Sequence, residues 1–105
     1  MKYEVVIASR AQREAQAAHD WWAEHRSAEQ AARWYEEFIR AAFSLEENPE
    51  RCALARENDR FPYEIRQLSF GIRRKPTHRL VYAIRPIEVV VLRVRHLAQQ
   101  PIDAD

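Results

Sequence analysis

Three strand-length runs stand one after another in the last third of the chain: Tyr63–Phe70, His78–Arg85 and Glu88–His96. Each carries apolar residues at strand periodicity, and Gly71, Pro76 and Pro86 break the chain between them. Connections this short permit only tight reversals, so the runs predict three neighbouring antiparallel strands. Gly71 is the only glycine in 105 residues, and with five prolines it leaves little material for linkers. The length suits a single domain over 1–105, organised around one core.

The first half reads differently. Lys2–Ala8, rich in Tyr, Val and Ile, predicts an opening strand. Ser9 followed by Gln12 has the form of a capping box, and Ala11, Ala15, Ala18 and Trp22 recur at helical spacing, so a helix is expected from Ser9 to about His25. Ser27 with Gln30 repeats the capping signal ahead of an apolar stripe of Ala31, Tyr35, Phe38, Ala42 and Leu45. Asn48-Pro49 ends that second helix. Two helices so closely joined pack as an antiparallel hairpin. From there to Phe61 the chain is polar and aperiodic, a long loop of the kind that is often functional or mobile. The expected fold is therefore α+β in the order β-α-α-β-β-β, with the helical hairpin on one face of an antiparallel sheet.

Charge is distributed unevenly. Residues 1–59 hold eight Lys/Arg against twelve Asp/Glu, and residues 60–105 hold nine against four, although the chain as a whole is only +1. A basic sheet beside acidic helices suits docking to a polyanion or to an acidic protein surface. The alternative is solvated acidic helix faces beside an ordinary sheet. The low net charge and the lack of interleaved stacking aromatics argue against binding free nucleic acid. Cys52 is the only cysteine, so neither an internal disulfide nor a cysteine-based metal cluster is expected. His19 and His25 lie six apart, which is no metal-ligand spacing, and no metal or other cofactor is expected. Nothing resembles a signal core or a membrane span, so the chain reads as cytoplasmic, with no membrane partner.

Thr77-His78-Arg79-Leu80-Val81-Tyr82, followed by a turn and Val89-Val90-Val91-Leu92-Arg93-Val94-Arg95-His96, resembles the end of the ParE/RelE toxin superfamily. The opening strand and the Ala-rich helical hairpin ending in Leu45-Glu46-Glu47-Asn48-Pro49 resemble its beginning, so the likeness runs from about Tyr3 to Gln99. The resemblance implies the toxin half of a bacterial type II toxin–antitoxin module, of the kind that stabilises plasmids, neutralised by a cognate antitoxin. It also implies the fold derived above.

The superfamily divides by target: RelE-like members are ribosome-dependent endonucleases of messenger RNA, and ParE-like members inhibit DNA gyrase without known catalytic chemistry. Metal-free RNA cleavage needs a base, a cation for the developing phosphorane charge and a proton donor. The RelE-like reading assigns Arg79 as that cation and His96 as the titrating group, with Glu57 a possible acidic partner. Against it, the tail Leu97–Ile102 lacks the basic residues and the tyrosine found near the C-terminus of RelE. Without catalysis, Arg79 is a solvated sheet-face arginine, His96 a structural histidine in phase with Val90, Leu92 and Val94, and Tyr82 a core residue. The Phe70–Arg79 hairpin and the Ala/Gln tail look more like the ParE branch, which is the favoured reading. Whether the chain is an enzyme is left open at this point. On the favoured reading Arg73, Arg74 and Lys75 form an exposed basic tip, and Arg93 and Arg95 a basic strand stripe, that engage the target. Antitoxins of the superfamily wrap their toxins with a segment that folds on binding. Trp22 fits the inward helix face, whereas Trp21 and Trp34 fall off the main stripes and are expected to anchor the antitoxin, unless both merely cap the core edge. A degenerate member that only binds its antitoxin in autoregulation is the third possibility.

Overall fold

The computed structural model describes residues 2–103. Strand β1 (Glu4–Ile7) leads into helices α1 (Ser9–His25) and α2 (Ala28–Phe43), and strands β2 (Arg66–Phe70), β3 (His78–Ile84) and β4 (Glu88–His96) follow. Three short 3-10 turns, Ser44–Glu46, Pro49–Arg51 and Asn58–Arg60, shape the long connection. The fold is α+β in the expected order, and the last three strands form the expected antiparallel run.

Sheet order is β1-β4-β3-β2, with β1 parallel to β4 in the register Glu4↔Glu88 to Ile7↔Val91. The sheet is therefore mixed rather than wholly antiparallel. Parallel neighbours need a long crossover, which the helical hairpin and the following connection supply. The β2 strand is shorter than the run that announced it, beginning at Arg66. The segment ahead of it is held instead to the loop, through Ala55 N–H to Ile65 C=O (2.9 Å) and a bridge between Leu54 and Arg66.

Ser27 caps α2 as its position suggests, its hydroxyl accepting the Gln30 N–H at 3.0 Å. Ser9 does not cap α1. The extended residue before the helix is Ala8, whose N–H continues the β1 ladder to Val91 C=O, so Ser9 is already helical. Asn48 takes the left-handed conformation (φ 48°) that ends the helical segment, one of the few non-glycine residues to do so readily.

The main core lies between hairpin and sheet. Ala11 and Ala15 of α1 and Trp34, Phe38 and Ala42 of α2 meet Leu80, Tyr82, Val89, Val91 and Val94, all buried. The apolar stripe of α2 thus passes through Trp34, and Tyr35 is only half-buried beside it. Both satisfy the helical spacing. The larger indole takes the centre because it stacks on Phe38 at 6.0 Å and its N–H finds a partner on the sheet.

A smaller core sits on the opposite face of the sheet. Val81 and Ala83 are covered there by Ala55, Ile65 and Ile102, so β3 is buried on both sides. Between Val81↔Arg93 and Tyr82↔Val91 the register skips Leu92, a β-bulge in β4. The bulge resets the alternation, so Val94 joins Val89 and Val91 in the main core while Leu92 packs against the second.

Candidate partner-docking cleft

Arg79, expected as a cation or a solvated face residue, is fully buried. Alternation from Val81 and Ala83 directs it to the second core, where its two terminal nitrogens donate to the two carboxylate oxygens of Glu57, itself 1% exposed. Gln67 Oε1 takes a further bond from Arg79 Nη1 at 2.9 Å, and Glu57 Oε2 accepts the Ile102 N–H at 3.0 Å. The tail closes over this pair. Arg56 and Arg95 donate to the carbonyls of Gln99 (2.6 Å) and Gln100 (2.7 Å), and Ile102 plugs the gap. Burial pushes the Glu57 carboxyl upward, but the Arg79 guanidinium and the Ile102 N–H outweigh it and bring its pKa from 4.5 down to about 2. The guanidinium that the RelE-like reading assigns to phosphate is thereby engaged inside the protein.

His96 lies on the other face. Cross-strand pairing sets Arg79 against Arg95 and His78 against His96, and adjacent residues of a strand point to opposite sides. The bulge at Leu92 is what puts His96 on the helix side. The structure therefore does not bring Arg79 and His96 together. The histidine that meets His96 is His78, their rings 5.0 Å apart and T-shaped. His78 is held from behind: Trp34 Nε1–H donates to its Nδ1 at 3.2 Å, and the Thr77 hydroxyl lies 2.8 Å from the same atom. Burial, with His96 nearby, lowers its pKa from 6.5 to about 4.

This histidine pair forms the floor of a cleft of about 550 Å³ between α1 and the end of β4, walled by Ala17, Ala18, Trp21, Trp22 and Val94. A second hollow of about 590 Å³ shares Trp22, Thr77 and His96 with it and continues over Ile72, Pro76 and Leu97. Gly71 positions the turn that makes this wall, since a Cβ there would meet Thr77 N at 3.0 Å. A third hollow adjoins through Trp22 and Ile72 and reaches Arg33 and Arg74. The three hollows meet at Trp22, which lines each of them, and together they are called the channel below.

The predicted binding residues separate into two groups. Arg73 and Lys75 line the channel beside the exposed Arg74, the basic tip read from sequence. Arg95 and Arg93 alternate on one face of β4, opposite Arg79 and Val81, but Arg93 is already paired within the protein. It turns to Glu14 of α1 in a bidentate pair, with Nη2 to Oε2 at 2.7 Å and Nε to the same carboxylate at 3.0 and 3.1 Å. Glu14 also accepts the Val94 N–H at 2.8 Å, closing the edge of β4 that the short β1 leaves unpaired. Trp21 is 47% exposed at the mouth of the cleft, stacked on His25 at 4.7 Å, with the Arg26 guanidinium 5.9 Å from its ring centroid. Trp34 is fully buried and offers no surface to a partner, a correction that follows from its place in the α2 stripe.

Sequence reasoning missed His78, Glu14 and Arg26. His78 had a signal, being one strand step from Leu80 on the core side, but Glu14 lies on the acidic half of α1 and nothing local marks its partner 79 residues away. Among the described residues no group of three His, Cys, Asp or Glu side chains could hold a metal ion. No helix is long and apolar enough to cross a membrane.

Hairpin, mixed sheet and basic channel define a small β-α-α-β-β-β domain with a concave, partly apolar face. The chain belongs to the family of ParE toxins of type II toxin–antitoxin systems, parDE, whose model matches residues 5–101. The fold is also that of a solved chain from a structure described as the chromosomal ParDE TA system from P. aeruginosa. The two share 15% identity at a TM-score of 0.73, over 90% of this chain and 96% of that one. No curated protein matches the sequence.

Proposed function

We propose that this ParE-family toxin acts by protein–protein inhibition of DNA gyrase, is neutralised by a cognate antitoxin and serves to stabilise the replicon that encodes the pair. The observation that carries the non-catalytic reading is the separation of Arg79 from His96. A metal-free ribonuclease needs cation and proton-transfer group converging on one phosphate. Here the cation is sealed with Glu57 on one face and the histidine faces a cleft on the other. Family membership supports the antitoxin, and the ParE branch supports gyrase as the target. The channel around Trp22 is the docking place assigned to the antitoxin, because a concave, part-apolar groove takes a segment that folds on binding. Arg73, Arg74 and Lys75, exposed at the border of that channel, steer the toxin toward an acidic surface of its target and are covered once the antitoxin is bound.

Controlled expression of the chain in bacteria tests this reading, with protein synthesis and DNA supercoiling followed in the same cells. Continued translation with gyrase-linked DNA damage is expected, suppressed when the antitoxin is co-expressed. Rapid translation arrest with cut messenger RNA would assign the RelE-type activity instead.

A further inference from the structure

The floor of the cleft is chemically pre-set. The Trp34 N–H and Thr77 hydroxyl at His78 Nδ1 fix that atom as an acceptor, so the ring proton sits on Nε2. Ala98 N–H donates to His96 Nδ1 at 3.0 Å, which sets the same tautomer in the second ring. Both side chains line the cleft, and neither Nε2 has a hydrogen-bond partner among the described residues. Two N–H donors thus stand on neighbouring rings whose centroids are 5.0 Å apart, each ring oriented by bonds at its Nδ1.

The surroundings select the charge of what they receive. Arg26, Arg33, Arg73, Arg74 and Lys75 border the channel, and none makes an ion pair or side-chain hydrogen bond among the described residues. Of the two acids present, Glu14 is consumed by Arg93, and only Glu29 remains. An apolar wall with a basic rim and a two-donor floor matches a segment that combines apolar side chains with carboxylates.

We propose that the antitoxin segment occupying this channel carries an Asp or Glu whose carboxylate is taken by the His78–His96 pair, with its apolar neighbours against Trp21 and Trp22. The inference rests on the antitoxin reading given above and adds the chemistry that the segment must carry. His78 and His96 are specificity residues on this account: they reject a segment lacking the acceptor, because the donors are then buried unpaired.

The test uses the full chain and its cognate antitoxin. His96 is exposed, so His96→Phe keeps the apolar wall and removes the donor without touching the core. Each Asp and Glu of the antitoxin is replaced singly by Asn or Gln, and affinities are measured for both toxin forms. His96→Phe is expected to weaken the complex at least tenfold. One antitoxin carboxylate should cost as much, with the two losses non-additive. Wild-type affinity in His96→Phe, or additive losses at every carboxylate, overturns the proposal. So does a variant that loses gyrase inhibition while binding antitoxin normally. If the unmodified chain does not bind the antitoxin at all, the antitoxin reading itself falls, and that result is distinguishable from the others.

Discussion

Replacing Glu57 with Gln leaves the Arg79 guanidinium buried beside a neutral amide, and replacing Arg79 with Met strands the carboxylate. Breaking a buried pair from one side costs about 3–5 kcal/mol, so each single variant should lower the urea midpoint strongly. The double variant Glu57→Leu/Arg79→Met should lose much less than the sum of the two, because no charge is then left buried. Loss of toxicity in an Arg79 variant therefore reports folding unless stability is measured beside it. The same groups set the acid response. The Glu57 carboxyl, held at about 2 instead of 4.5, stabilises the fold above about pH 5, and that contribution disappears as pH falls toward 2. His78 is held at about 4 instead of 6.5, so on acidification the unfolded chain takes up a proton first, and stability falls between about pH 6.5 and 4. Each shift corresponds to at most roughly 3 kcal/mol. Urea midpoints measured across pH should fall in two stages, and His78→Gln should flatten the upper one alone.

At the scale of elements, α2 and β4 show what patterning reveals and what it hides. The bounds of β4 and the Ser27 cap were legible because each depends on neighbours in sequence. The choice between Trp34 and Tyr35 was not, since both fit a helical stripe and only the sheet opposite decides which enters. Trp34→Ala should cost about 3–5 kcal/mol in thermal or urea unfolding. Trp21→Ala should change stability by less than about 0.5 kcal/mol while weakening antitoxin binding. The bulge at Leu92 was equally invisible, because the continuous apolar run Val89-Val90-Val91-Leu92 fits either face and carries no mark of a skipped partner. That one residue sets His96 in phase with Val94 on the helix side, away from Arg79, so the two groups of the expected site do not meet. The tail read as featureless Ala/Gln sequence, yet Ile102 closes the second core, a role set by the burial needs of Arg79 rather than by local pattern.

The whole molecule turns an uneven charge distribution into two faces of different use. On the loop side, Glu57 neutralises Arg79, and the tail carbonyls of Gln99 and Gln100 hold the Arg56 and Arg95 guanidinium groups in place. On the hairpin side, five cations without an ion-pair partner among the described residues border a partly apolar channel, so the basic character read from composition survives there. The central claim is inhibition of gyrase without bond cleavage, and purified components address it most directly. Supercoiling of a relaxed plasmid by gyrase should stop when the chain is added and resume with the cognate antitoxin, while messenger RNA in a reconstituted translation reaction stays intact. Unaffected supercoiling together with cut messenger RNA would contradict the account.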